Sequence, residues 1–270
     1  MCDCLITLKV FKVFKVLKVL DTPPFMKMKD LLLSMIRSGQ QLTFGQQLRL
    51  TVILSVPSII AQLSAVVMEY IDAAMVGSLG AEASASIGLV ATTTWLFWGL
   101  VSSTSTGFAV QVAHCVGAGH NDEARSVVRQ ALVAAVSLSV VLAAVGCALS
   151  GVLPVWLGGD STVCPGATSY FRIFALSLPF LQLYSLAGGV LRCSGNMLVP
   201  GVMGGMMCML DVVFNALLIF PSRTLTVAGL TFGVPGAGLG VTGAALGTAL
   251  AEVVASAVLM WYLLCRSPEL

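Results

Sequence analysis

ASASIGLVATTTWLFWGLVSSTSTGFAVQVA, residues 83–113, runs for 31 positions without a charged side chain. A helix crossing the hydrocarbon core of a bilayer needs about 20 mostly apolar residues. Charge-free stretches of that order recur on both sides of this one, over Leu50–Met68, Gln130–Gly159, Ile173–Leu191, Cys193–Leu210 and Thr224–Ala251. Strand-period alternation is absent from all of them, which argues against a membrane barrel. Helices are the other way to satisfy every backbone hydrogen bond in lipid.

Composition agrees. The chain of 270 residues is 57% hydrophobic and 10% charged, with a mean hydropathy of +0.97. Soluble domains carry about 25% charged residues, so too few charges are present to cover a water-exposed surface. The eight cysteines are scattered, with no CxxC pair and no zinc spacing, and read as small apolar packing residues. The expectation is an all-α membrane protein with six spanning helices, over 50–76, 83–115, 127–153, 170–191, 198–220 and 240–264.

The breaks between these spans carry turn chemistry: GSLGA at 77–81, GAGHND at 117–122, LGGDS at 157–161 and SGN at 194–196. The longer break from Pro221 to Leu239 contains valine-rich runs around Leu225–Val227 and Leu230–Val234, which read as a small extracytoplasmic hairpin. Ahead of the spans, residues 28–49 read as an amphipathic cytoplasmic lead-in helix interrupted at Gly39–Gln41. Residues 1–27 form a basic extension that repeats Lys-Val-Phe and Lys-Val-Leu around Lys9, Lys12, Lys15 and Lys18. It reads as lying outside the fold, with Met26 or Met28 as the native start.

Lysine and arginine set the orientation. Lys27, Lys29, Arg37 and Arg49 precede the first span, Arg125 and Arg129 follow the second, Arg192 the fourth and Arg266 the sixth. The opposite side offers Arg223 and Arg172, the latter placed to snorkel. Both termini are therefore expected in the cytoplasm, in the plasma membrane of a bacterium (its inner membrane). His114 and His120 fall in a solvated loop.

Four acids lie inside predicted spans: Glu69, Asp72, Asp211 and Glu252. An acid at a helix centre costs about 2.5–3.5 kcal/mol on insertion scales, so each should face a cavity or a partner. Glu69 and Asp72 are three apart on one helical face, with Gln62 two turns earlier and Pro57 placed to kink the span. Asp211 pairs with Asn215, and Thr248 with Glu252, each four apart. Three helices thus each present a polar pair of cation- or proton-binding type. Carboxylate, amide and hydroxyl oxygens are hard ligands suited to sodium, and a carboxyl can also carry a proton. Gln62, Glu69, Thr94, Trp98 and Glu252 are candidate cavity-lining residues. For Thr92–Thr94 and Ser102–Thr106 interhelical contact competes with cavity lining, and for Trp95 and Trp98 packing does. Gly188, Gly189, Gly201, Gly204 and Gly205 are placed to let helices approach closely. A P-loop, HExxH and GxSxG are all missing, the glycines at 236–240 follow no Rossmann strand, and neither an enzyme nor a nucleic-acid binder is expected.

Five motifs in order then resemble one family. Pro57, Gln62 and DAAMVGSLG at 72–80 are similar to the first helix of multidrug and toxic compound extrusion (MATE) transporters. GAGHNDEAR at 117–125 resembles their cytoplasmic loop after helix two, and LRCSGNM at 191–197 their junction of helices four and five. DVVFN at 211–215, followed by LLIF at 217–220, resembles helix five, and GVTGAALGT at 240–248 the start of helix six. The resemblance runs from about residue 45 to 265. It implies one six-helix lobe of a twelve-helix antiporter that exports organic, often cationic, compounds against inward sodium or proton flow, with no other cofactor. It also implies an ion-coupling site at Asp72, Asp211, Asn215 and Thr248, which would hold sodium if sodium is the coupling ion. The family's asparagine and aspartate on helix five stand here in swapped order.

The partners expected are membrane lipid, a small organic substrate, and either a C-terminal lobe or a second copy to complete the cavity. The chain is expected to be a truncated form of a full transporter. A non-transporting assembly subunit and a lipid-linked oligosaccharide flippase of related fold are the alternatives. The flippase reading calls for a cationic cavity, whereas these spans hold acids.

Overall fold

The computed structural model describes residues 31–32, 34–35, 40–227 and 230–266. The lysine-rich repeat, both alternative start methionines, Lys27, Lys29 and Arg37 lie outside them, as do the side chains of Pro57 and Arg223.

The described residues form six long helices, α1 (Phe44–Gly77), α2 (Ala81–Gly117), α3 (Asn121–Leu149), α5 (Cys164–Cys193), α6 (Leu198–Leu218) and α7 (Gly240–Arg266), with the single-turn α4 (Leu153–Trp156) between α3 and α5. Among the described residues, α2, α3, α5, α6 and α7 are long and apolar enough to cross a membrane. We count α1 with them because residues 50–68 hold no charge. Its 34 residues also exceed the roughly 20 that a span needs. The chain is a multi-pass membrane protein.

α1 starts at Phe44, six residues ahead of the expected span, so residues 44–49 belong to it and not to a separate lead-in. Residues 40–43 are non-helical, and the Gln46 side chain accepts a hydrogen bond from the Thr43 backbone N–H at 2.9 Å. That is half of a capping box, a start signal present in the sequence as Thr43-x-x-Gln46.

α5 is the axis, packed against α2, α3 and α7, while α6 lies on α7 and α1 lies mainly on α6. Lipid is as apolar as leucine, so helices associate there through close packing and hydrogen bonds rather than by hiding apolar surface. The contacts bear this out. Phe97 of α2 meets Phe171 of α5 edge-on, with centroids 5.8 Å apart. Gln182 of α5, fully buried, donates to Ser105 Oγ of α2 at 2.9 Å. Ser86 Oγ of α2 donates to the Val163 carbonyl before α5 at 3.1 Å.

At Gly146 an added Cβ would lie 2.7 Å from the Ala175 Cβ, so α3 touches α5 through the bare glycine. Gly146→Leu should cost about 1–3 kcal/mol by overpacking. Gly205→Ala, with nothing within 4 Å of its Cβ position, should be neutral or stabilise by up to about 1 kcal/mol through helix propensity. Thermal unfolding of the two purified variants checks the pair, and equal melting points would refute the close approach.

The expected hairpin forms between α6 and α7: β1 (Pro221–Val227) pairs antiparallel with β2 (Leu230–Ala237), Val227 opposite Leu230. Its exit is tied back to α6. The Leu239 N–H donates to the Leu218 carbonyl at 2.9 Å and the Gly240 N–H to the Ile219 carbonyl at 3.1 Å. Gly238 and Gly240 take left-handed φ of 65° and 55° to make this turn. α7 therefore begins directly against the end of α6, which is where the polar residues converge.

Candidate ion site and cavity

Up-and-down threading brings the C-terminal part of α1, the start of α2, the start of α5, the end of α6 and the start of α7 to one side of the bundle. A cavity of about 400 Å³ opens there, lined chiefly by Glu69, Asp72, Tyr170, Asn215, Ala244 and Thr248. On α1 the lining residues are Glu69, Asp72, Ala73 and Val76, the i, i+3, i+4, i+7 spacing of one face. The opposite end of the bundle collects Arg49, Arg125, Arg129, Arg192 and Arg266.

Asp211 lies behind the cavity wall and Asn215 in it, both fully buried. The Asn215 amide nitrogen spends its two hydrogens on two carboxylates, donating to Asp72 Oδ1 at 2.9 Å and to Asp211 Oδ2 at 3.1 Å. The carboxyls of Asp72 and Asp211 lie beside one another, and the Thr248 hydroxyl lies beside Asp211. The structure thus brings together all four residues that the sequence marked for ion coupling, from three helices. The one Asn215 amide between the two acids serves both.

Two oxygens of this group, Asp211 Oδ1 and Asn215 Oδ1, are buried without a hydrogen-bond partner. Buried polar atoms are normally satisfied, and an oxygen-rich cluster with unpaired lone pairs fits a hard cation or a proton. No group of three or more His, Cys, Asp or Glu side chains placed to hold a metal ion occurs among the described residues. The donor set is two carboxyls, an amide and a hydroxyl, all hard oxygen ligands.

Glycine makes the cluster possible. A Cβ on Gly247 would fall on Asn215 Oδ1, and one on Gly243 would sit 2.5 Å from the Leu218 carbonyl oxygen. The two glycines are one turn apart on α7 and form a small-xxx-small contact with α6. The Gly243-x-x-x-Gly247 spacing was readable in the sequence. Gly189 also approaches closely, its Cβ position 3.2 Å from the Ala109 Cβ, whereas Gly205 meets nothing within 4 Å. Tyr170, in the cavity wall, had no signal in the sequence beyond its place in a span.

Of the candidate lining residues, Glu69 faces the cavity, and Gln62, Thr94 and Trp98 do not line it. Gln62 is exposed, since α1 touches the bundle mainly through α6. Thr94 Oγ1 is spent on the Ala91 carbonyl at 2.7 Å. Trp98 is 49% exposed and stacks edge-on with the exposed Trp95, so neither ring packs into the core. Of the hydroxyl run, Ser105 is the buried interhelical contact. Glu252 is sealed away, 6% exposed, next to the Ser177 hydroxyl of α5. His114 closes α2 and His120 precedes α3, where its ring lies 3.3 Å from Glu123.

A family model described as MatE matches residues 57–217. A FAD transporter of Shewanella oneidensis is 24% identical over 167 residues, which cover 62% of this chain and 37% of that protein. Three solved structures share the fold. An outward-facing multidrug resistance MATE family transporter of the MOP superfamily superposes with a TM-score of 0.68 at 22% identity, over 79% of this chain and 44% of its own. A MOP superfamily transporter from Pyrococcus furiosus gives 0.69 at 22%, with the same coverage. MATE in the bent conformation gives 0.67 at 22%, over 84% of this chain and 48% of its own. The chain spans less than half the length of each of these relatives.

Proposed function

The chain belongs to the MatE family, and from that premise we propose that it is the N-terminal lobe of a secondary exporter coupling inward sodium or proton flow to efflux of organic, often cationic, compounds. One observation carries the reading. Asp72 of α1 and the pair Asp211 and Asn215 of α6, 143 residues from Asp72 to Asn215, form a single hydrogen-bonded cluster at an open cavity in the membrane domain. An acid-lined cavity attracts cations and does not match the cationic cavity a flippase of anionic lipid would need. Alternating access then comes from this lobe rocking against a second body across the site, supplied by a C-terminal lobe or by another copy of the chain. The clustering of arginines at the end away from the cavity supports a plasma-membrane (bacterial inner-membrane) placement with both ends in the cytoplasm.

The test is reconstitution of the full chain in proteoliposomes under an imposed inward sodium or proton gradient, together with thermal unfolding across sodium concentration and pH. Gradient-driven movement of a cationic dye supports transport by paired copies. A sodium- or pH-dependent melting point without dye movement supports a lobe that works with a C-terminal partner. A melting point indifferent to both ions, with no dye movement, overturns the reading.

A further inference from the structure

Glu252 lies outside the cavity lining and outside the four-residue ion set. It stands on α7 one turn beyond Thr248 and is 6% exposed. The groups that bear on it are the Ser177 hydroxyl of α5 and the Asp211 carboxyl of α6, neither of them a cation. Tyr170 and Tyr184 of α5 are the further titratable side chains that feel its charge. The buried Ser256 hydroxyl nearby is spent on the Val253 carbonyl at 3.0 Å. Oε2 of Glu252 is buried with no hydrogen-bond partner, and the α7 residues on its own face, Ala251, Ala255 and Leu259, are buried and apolar.

An ionised carboxylate in such a place has, among the described residues, neither counter-charge nor donors enough, and burying an uncompensated charge is among the most costly arrangements a protein can hold. A neutral carboxylic acid resolves this, because it needs one acceptor and leaves no charge in the hydrocarbon. We propose that Glu252 is a proton-binding site of its own, one helical turn deeper than the ion set, so that this lobe holds a proton and a coupling ion at two adjacent positions. Proton binding at Glu252 and cation binding at Asp211 then oppose one another. A negative Asp211 favours a proton on its neighbour, and a cation beside Asp211 removes that reason for holding it. The opposition is reciprocal, as any coupling between two binding sites must be. This coupling rests on the ion-site reading of Asp72 and Asp211; the proton on Glu252 does not.

Dicyclohexylcarbodiimide, which reacts with protonated carboxyls in apolar surroundings, is applied to the full chain in detergent at neutral pH, and the modified residue is located by peptide mass spectrometry. The expected result is label on Glu252 in the wild-type chain and in Asp72→Asn, with sodium slowing the wild-type reaction about tenfold. Infrared difference spectra should show a protonated-carboxyl carbonyl band that Glu252→Gln removes and Asp72→Asn leaves. Absence of label on Glu252, with a carbonyl band unchanged by Glu252→Gln, overturns the proton site. Label that sodium does not slow leaves the proton site standing and overturns the ion-set reading instead.

Discussion

On the proposed ion site, Asp72→Asn should abolish any sodium or pH dependence of the chain's thermal stability while leaving it folded. The substitution keeps the shape of the side chain and leaves an oxygen able to accept from Asn215, whose amide bridges Asp72 and Asp211 at 2.9 and 3.1 Å. What it removes is one of the two carboxyls that can face a bound cation with a negative charge. At a separation of about 4 Å and an effective dielectric near 20, one unit charge attracts a monovalent cation by about 4 kcal/mol. At about 1.4 kcal/mol per decade, that is roughly a thousandfold in affinity. The measurement is the melting point of the purified chain against sodium chloride, with choline chloride holding ionic strength constant, repeated across pH. A variant that keeps the wild-type sodium midpoint and pH profile would remove Asp72 from the ion site. Because Asp72 lines the open cavity while Asp211 is fully buried, Asp211→Asn should weaken binding equally but change access to the site less.

Gly247→Ala should be nearly as damaging without touching a charge. The new methyl would occupy the position of Asn215 Oδ1 and come 3.0 Å from the Asn215 backbone nitrogen. The asparagine has to swing away, and both carboxylates lose their shared donor. Overpacking costs about 1–3 kcal/mol, and each buried acceptor left unsatisfied costs about 1–3 kcal/mol more. The variant should therefore melt well below the wild type and show a weakened sodium or pH response. Gly205→Ala, in the neighbouring helix, should show neither. A Gly247→Ala chain with wild-type melting and ion response would show that α7 does not seat on α6 as described.

Much of the site was legible before any coordinates. Glu69, Asp72, Asp211 and Glu252 stand out because an acid in an apolar run is costly, and the family resemblance joined Asn215 and Thr248 to Asp72 and Asp211. Their spacing also placed each pair on one helical face. The hairpin at 221–237 was legible from its valine-rich runs and glycines. Other features were not. Gln62 and Trp98 sit in the same kind of sequence as true lining residues, yet one is exposed on α1 and the other on α2. Glu252 was read as a cavity candidate and lies walled off by α5. The start of α1 at Phe44 was announced by Thr43 and Gln46, but a capping residue is a weak mark beside twenty apolar ones.

The sequence by itself determined that the chain lives in lipid, where its long apolar helices run and which acids are set apart within them. These follow from partitioning, which depends on composition along a single segment. Which faces of those helices meet was decided only by the tertiary structure. In a bilayer the lipid-facing and protein-facing sides of a helix are equally apolar, so no hydrophobic stripe records the contact. That choice rests on bare glycines such as Gly146, Gly243 and Gly247 meeting a particular neighbour, and on one amide, Asn215, finding two carboxylates from different helices.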